Sequence, residues 1–300
     1  MATPVLARTR SVSRSYGRVT ALDGVSLDVA EGEALGLLGA NGAGKSTLIQ
    51  LLCGLRRPTR GTVELFGGDP RDARYRAGLG ATPQETGLPE TLRVTEVLNL
   101  VRRHFPDPAS EGELLDQFGL AGLERRQTGG LSGGQKRRLA LALAFAGRPR
   151  LVLLDEPTTG LDVAARQAVW DAVRAYRERG GTVLLSSHHL EEVEALAERV
   201  AVLDHGVLRV DGPVSAIRSK VPTRRVRLRG ESVPDLPGIL RAEHHGDQHE
   251  LWTTDSDALV RAIVTAGVRF HDLEVTAASL EDAFRTLTSE LARERTVTPA

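Results

Sequence analysis

The segment GANGAGKS, Gly39 to Ser46, decides how the rest of the chain reads. It fits the spacing G-x-x-x-x-G-K-[ST], and its flanks supply the setting that this spacing needs. The short apolar run Ala34 to Leu38 predicts a buried strand, STLIQLLCGL from Ser46 predicts a helix, and the glycines release one into the other. At such a junction backbone N–H groups close around phosphate oxygens, and the helix N-terminus adds its positive end. Lys45 is then placed to bridge the β and γ phosphates of a nucleotide, and the Ser46 hydroxyl to ligate Mg²⁺. The plainer alternative is a glycine-rich turn beside a chance lysine. Yet lysine occurs only at Lys45, Lys136 and Lys220, in a chain whose basic residues are nearly all arginine.

Around this loop the chain alternates strand and helix. Val25, Leu27 and Val29 alternate with polar residues upstream, and TVELFG returns as a strand after the helix. From about Leu92 to Gly147 the pattern is helical, interrupted at Pro106 to Pro108. RLVLLDEP predicts a second buried strand, Ala164 to Arg179 an amphipathic helix, and TVLLSSHH a third strand. AVLDHGVLRV reads as a hairpin turning at Asp204 to Gly206. Such alternation argues for an α/β fold with a mainly parallel sheet.

Two further stretches carry chemistry. RLVLLDEP ends in acids: Asp155, at the mouth of a buried strand, is placed to hold the Mg²⁺ shell, and Glu156 to polarise a water attacking the γ phosphate. In LSGGQKRRLALALA, Leu131 to Ala144, Ser132 and Gln135 have the spacing of a helix capping box. That accounts for two residues only. Gly133 and Gly134 occupy the first turn, where each costs about 1 kcal/mol against alanine. Two missing Cβ atoms at an exposed helix N-terminus admit an anion, which makes a second phosphate site.

Together these motifs resemble the nucleotide-binding subunit of ATP-binding cassette (ABC) transporters over roughly the first 215 residues, with LSGGQ as the family signature. The resemblance implies a P-loop NTPase core of ABC type, with an N-terminal antiparallel β subdomain and a helical subdomain at about 85–148. It implies a head-to-tail dimer around two Mg·ATP, in which Ser132, Gly133, Gly134 and Gln135 of one subunit meet the γ phosphate held by the other. It assigns nucleotide binding to Gly39, Asn41, Gly42, Gly44, Lys45, Ser46 and Thr47, with Tyr16 stacking on adenine. Gln84 in ATPQET matches the glutamine that senses Mg²⁺ and water, so the implied metal set is Ser46, Gln84 and Asp155. Asp162 in TGLD matches the loop that communicates across the dimer. The family's γ-phosphate histidine follows the strand directly, which selects His188, while His189 would open the next helix; catalysis then falls to Glu156, His188 and Gln84. A separately encoded membrane permease is the implied partner. SLEDAFRTLTSE, Ser279 to Glu290, resembles the last helix of subunits serving exporters of the daunorubicin-resistance type, which favours export.

Composition bounds these expectations. Three hundred residues, 41% hydrophobic and 26% charged, suit about two globular domains. A boundary is expected around Ile217 to Thr223, giving an ATPase domain at 1–219 and a small C-terminal α+β domain at 220–300. Arginine and lysine together number 39, as do aspartate and glutamate, and this zero net charge disfavours a nucleic-acid footprint. The basic run RRVRLR, Arg224 to Arg229, alternates like a solvated strand. The lone Cys53 lies among leucines and takes no role. No apolar run approaches the roughly 18 residues of a membrane span, and MATPVLARTR lacks a secretory core. The expected location is cytoplasmic, peripheral on the membrane through the permease. Rival readings are a soluble ATPase acting on nucleic acid or ribosomes, and an ATP-dependent dimer switch without transport.

Overall fold

A computed structural model describes residues 3–82, 87–219, 223–230, 232–277 and 279–281. The chain divides into two compact units, Met1–Gly212 and Pro213–Ala300. Gln84, the stretch 220–222 of the expected boundary and most of the expected last helix lie outside the described residues.

The first unit is built on two sheets. Strands β1 (Val5–Tyr16) and β2 (Val19–Ala30) pair antiparallel. With β3 (Ala34–Leu38), helix α1 (Lys45–Leu52) and β4 (Arg60–Leu65) in place, β4 joins them in the order β2-β1-β4. Val25, Leu27 and Val29 are buried on one face of β2, as their alternation requires. Helix α2 (Ala73–Arg76) and strand β5 (Leu79–Thr82) follow, and then the helical stretch: α3 (Val94–Arg102), α4 (Glu111–Gln117) and α5 (Gly133–Phe145).

Next in the chain come β6 (Leu151–Asp155), α6 (Val163–Glu178), β7 (Thr182–Ser187), α7 (Leu190–Leu196), β8 (Arg199–Asp204) and β9 (Val207–Pro213). They complete a six-stranded sheet in the order β5-β6-β7-β3-β8-β9. Strands β5 to β8 pair parallel with β3 and one another. Every residue of β3, β6 and β7 is buried, the mark of strands covered on both faces, which is why their apolar runs show no alternation. The hairpin β8–β9 turns at His205 and Gly206, with φ of 47° and 79°, the left-handed pair that matches strand twist.

Sheet order fixes where the motifs meet. In register, Leu38 of β3 lies beside Ser187 of β7, and Ser186 of β7 beside Asp155 of β6. The carboxyl ends of these three neighbouring strands therefore open on one edge, the usual ligand edge of a parallel α/β sheet.

The second unit begins with α8 (Val214–Ser219) and carries an antiparallel sheet of β10 (Arg224–Gly230), β11 (Arg241–His245), β12 (Gln248–Thr253) and β13 (Phe270–Ala277), with helix α9 (Ser256–Thr265). Its order is β11-β12-β10-β13. Val226, Leu228 and Leu251 form its core with Leu259 and Ile263 of α9. The basic run is strand β10: Arg225 and Arg227 lie off that core and pair with Glu250 at 3.4 and 3.1 Å, and Arg227 also with Glu274 at 3.2 Å. These charges are absorbed within the sheet. No helix among the described residues is long and apolar enough to cross a membrane.

Candidate nucleotide site

Gly39 to Gly44 leave β3 and deliver the chain into α1. Gly42 and Gly44 have φ of 81° and 107°, where a Cβ is strained. At Gly44 a Cβ would also stand 2.5 Å from the Ala21 carbonyl oxygen, so glycine is required by packing as well as by dihedral. Gly42 is open: no described atom lies within 4 Å of the place its Cβ would take. Lys45 is buried, and its Nζ donates to the carbonyl oxygens of Gly39 at 2.7 Å and Ala40 at 3.2 Å. The ammonium thus spans the loop that it would serve. Burial pulls its pKa below the ordinary lysine value, and the charges of Glu156 and Asp155 partly offset this. Asn41 is exposed beside the open glycine, and Ser46 and Thr47 are half-buried at the start of α1.

The acids sit across the sheet edge. Asp155, 4% exposed, ends β6; the Ser186 hydroxyl donates to its Oδ1 at 2.5 Å, and its own N–H donates to Thr82 Oγ1 at 3.2 Å. Glu156 has φ of 50°, a left-handed conformation costing a residue with a Cβ about 1–2 kcal/mol. Surrounding bonds hold it there: its N–H donates to the Ser186 carbonyl at 3.1 Å and Ser186 Oγ at 3.0 Å. The twist turns the carboxylate toward His188, whose Nδ1 lies 3.2 Å from Glu156 Oε1, while the Thr159 hydroxyl donates to Oε2 at 3.2 Å. His188 directly follows β7, and His189 occupies the position just before α7 without a side-chain cap bond. Of the two histidines, the first is the one that meets the acid.

The Ser132 turn is a closed capping box. Gln135 N–H donates to Ser132 Oγ at 3.2 Å, and Ser132 N–H to Gln135 Oε1 at 3.0 Å. Neither glycine behind it is demanded by the described chain. No described atom approaches within 4 Å of a Cβ placed on Gly133, and on Gly134 only Leu161 Cδ2 does, at an ordinary 3.4 Å. Neither has a positive φ. Asp162 caps α6, its Oδ1 accepting from Ala165 N–H at 2.8 Å.

The strand order thus brings together Gly39, Lys45, Asp155, Glu156 and His188. Tyr16 stands at the end of β1, 39% exposed, with the Arg14 guanidinium 4.5 Å from its ring centroid, so its stacking surface is shared with a cation. Gln84 lies outside the described residues. Besides Thr82 and Thr159, the sequence expectations missed Ser186 and Arg137, which also hold the acids. Ser186 was within sight, in SSHH at the end of a predicted strand. Arg137 is 6% exposed inside α5, and its guanidinium donates to the carbonyl oxygens of Asp155, Glu156 (2.6 Å) and Pro157 (3.3 Å). Nothing in KRRLA distinguishes it from its neighbours. Cys53 is buried and its thiol is pushed up to about 12, so it stays protonated and inert.

The sequence profile described as ABC transporter matches residues 22–159. A doxorubicin resistance ATP-binding protein, DrrA of Mycobacterium tuberculosis, is 32% identical, covering 93% of this chain and 92% of the relative. The Nod factor export ATP-binding protein I of Rhizobium meliloti is 37% identical, covering 93% and 86%. Among solved structures, an ATP-binding subunit of an ABC transporter superposes with a TM-score of 0.66 at 30% identity, covering 72% of this chain and 92% of that one. The dimeric structure of a post-hydrolysis ATP-binding cassette bound to ADP and Pi superposes with a TM-score of 0.62 at 25% identity, covering 69% and 98%. Relatives alike over nearly the whole chain, a superposable cassette and a nucleotide loop facing paired acids agree: the chain belongs to the ABC transporter family, as an ATP-binding ATPase subunit.

Proposed function

We propose that two copies of this chain close head to tail around two Mg·ATP and drive a separately encoded membrane permease, as an exporter, from its cytoplasmic face. The observation that carries the dimer is the pair Gly133 and Gly134: each costs helix stability, and the described chain gives neither dihedral nor steric cause for it. A phosphate brought by a second subunit supplies the cause, because a helix N-terminus bare of side chains lets oxygens reach backbone N–H groups. Export rests on the relatives, one named for doxorubicin resistance and one for Nod factor export.

The residues present fit ATP and Mg²⁺. The open Gly42 leaves room for phosphate oxygens, and Lys45 exchanges its bonds with Gly39 and Ala40 for bonds to them. Asp155 with the Ser46 hydroxyl is a hard oxygen set, and one or two protein carboxylates or hydroxyls beside phosphates suit Mg²⁺. When bound, the ion withdraws charge from the phosphate oxygens. Glu156 accepts the proton of the attacking water, His188 orients that carboxylate and donates toward the γ phosphate, and Tyr16 offers its ring to adenine. Ser132 to Gln135 close the site from the partner, and Asp162 fixes the start of α6 beside that junction.

Glu156→Gln keeps size and removes the base. With Mg·ATP it should accumulate a species of doubled mass in light scattering, and ADP should not support it. A variant that binds ATP and stays monomeric would overturn the head-to-tail reading.

A further inference from the structure

A single side chain joins the helix that begins at the signature to the turn that carries the catalytic acids. Arg137 sits one helical turn beyond Gly133 on α5, an element whose first residues are capped by the Ser132–Gln135 box. Its guanidinium donates to three successive carbonyl oxygens, those of Asp155, Glu156 and Pro157. Three carbonyls in a row do not converge on one donor group in an extended strand, where successive C=O groups alternate in direction. They converge here because Glu156 takes φ of 50° and folds the chain back on itself. Arg137 therefore recognises the left-handed conformation of Glu156 and not merely its neighbourhood. On the opposite side Ser186 receives the Glu156 N–H, so the peptide groups flanking the acid are held from both directions. The planar, five-donor guanidinium suits this task, and lysine's single nitrogen does not reproduce its fork.

We propose that Arg137 is a positioning residue that makes α5 and the Asp155–Pro157 turn of the same subunit one rigid body. The Ser132–Gly134 end of α5 faces the nucleotide held by the partner, while Glu156 works on the subunit's own nucleotide. Through Arg137, engagement of the signature end at one composite site then sets the angle of the Glu156 carboxylate at the other. The two hydrolytic sites become coupled by a cation inside each subunit. This rests on the dimer reading above. The same geometry also brings Leu161 Cδ2 to 3.4 Å from a Cβ placed on Gly134, so the loop after the acids already touches the signature end within the chain.

Two variants of the full-length chain test it. Arg137→Met keeps length and removes every donor; Arg137→Lys keeps the charge and a partial set of bonds. Both are measured for affinity toward a fluorescent ATP analogue, for kcat and KM, for the Hill coefficient of ATP hydrolysis, and for Tm. The expected result is affinity within about twofold of the parent, kcat lowered at least tenfold in Arg137→Met and to an intermediate degree in Arg137→Lys, and a Hill coefficient falling toward 1 in both. A purely structural arginine predicts instead that kcat follows Tm with the Hill coefficient unchanged. If Arg137→Met does not fold, Arg137→Lys decides alone: parental kcat and Hill coefficient at parental Tm overturn the proposal. The Glu156→Gln dimer is scored in parallel. A parent that hydrolyses ATP without forming that dimer removes the head-to-tail reading and the inter-site coupling with it, while a kcat loss at intact affinity still registers the positioning of Glu156.

Discussion

At the scale of single residues, the site is defined by groups held away from their comfortable states. Lys45 is a buried cation bonded to its own loop, and Glu156 is a left-handed residue with a Cβ. Replacing Lys45 by Met should lower affinity for Mg·ATP by about 10- to 100-fold, the usual consequence of deleting a charge-assisted bond, as read by titration with a fluorescent analogue. The same substitution has a pH signature in the empty protein. Folding lowers the Lys45 pKa from its ordinary 10.5, so between the folded value and 10.5 the unfolded chain holds a proton that the folded chain has released. Stability rises with pH wherever the unfolded state binds more protons. The Tm of the parent relative to Lys45→Met should therefore climb as pH is raised toward 10.5. A constant or falling difference would show that the ammonium is not destabilised by burial. Both residues were legible in sequence as chemistry, but their strain was not, because burial and φ are properties of what packs around them.

At the scale of elements, α5 carries the sharpest contrast between a bland helix start and a shared phosphate site. The capping box read from S-x-x-Q forms as expected, with both reciprocal bonds present. It leaves the glycines unaccounted for, so substitution there discriminates. In the Glu156→Gln background, Gly134→Asp places an anion where the proposed head-to-tail dimer brings the partner's phosphate, and should abolish the ATP-dependent dimer while monomer ATP affinity persists. If the helix start has no ligand, an acid in its first turn interacts favourably with the helix dipole, and the dimer should be unharmed. Light scattering in excess Mg·ATP separates the two, provided the single Glu156→Gln variant dimerises first. The apolar strands β3, β6 and β7 were equally plain in sequence, since short buried runs such as Ala34–Leu38, Leu151–Leu154 and Val183–Leu185, bounded by glycines or polar residues, leave little choice of element. Arg137 was not plain: a helix with Lys136, Arg137 and Arg138 in succession reads as a solvated basic turn, and only the fold shows the middle one pointing inward.

At the scale of the whole molecule, the two compact units have separate cores, one centred on the mixed sheets of the ATPase fold and one on Val226, Leu228, Leu251, Leu259 and Ile263. Because every residue proposed for the nucleotide site lies in the first, a chain ending at Ser219 should remain soluble and bind the fluorescent ATP analogue with parental affinity. Insolubility or lost binding on truncation would mean that the first core depends on the second. Local sequence was enough to specify the glycine loop between β3 and α1, the paired acids, the capped glycine turn and the α/β class, because each is a demand on backbone conformation expressed within a few consecutive residues. Packing alone shows that the ends of β3, β6 and β7 are neighbours, that His188, the histidine already selected, lies 3.2 Å from Glu156, and that Ser186 and Arg137 hold the acids. The reason is physical: local preference fixes which element a segment forms, but which strand lies beside which is settled by the order that buries all their faces at once, and no spacing along the chain records it.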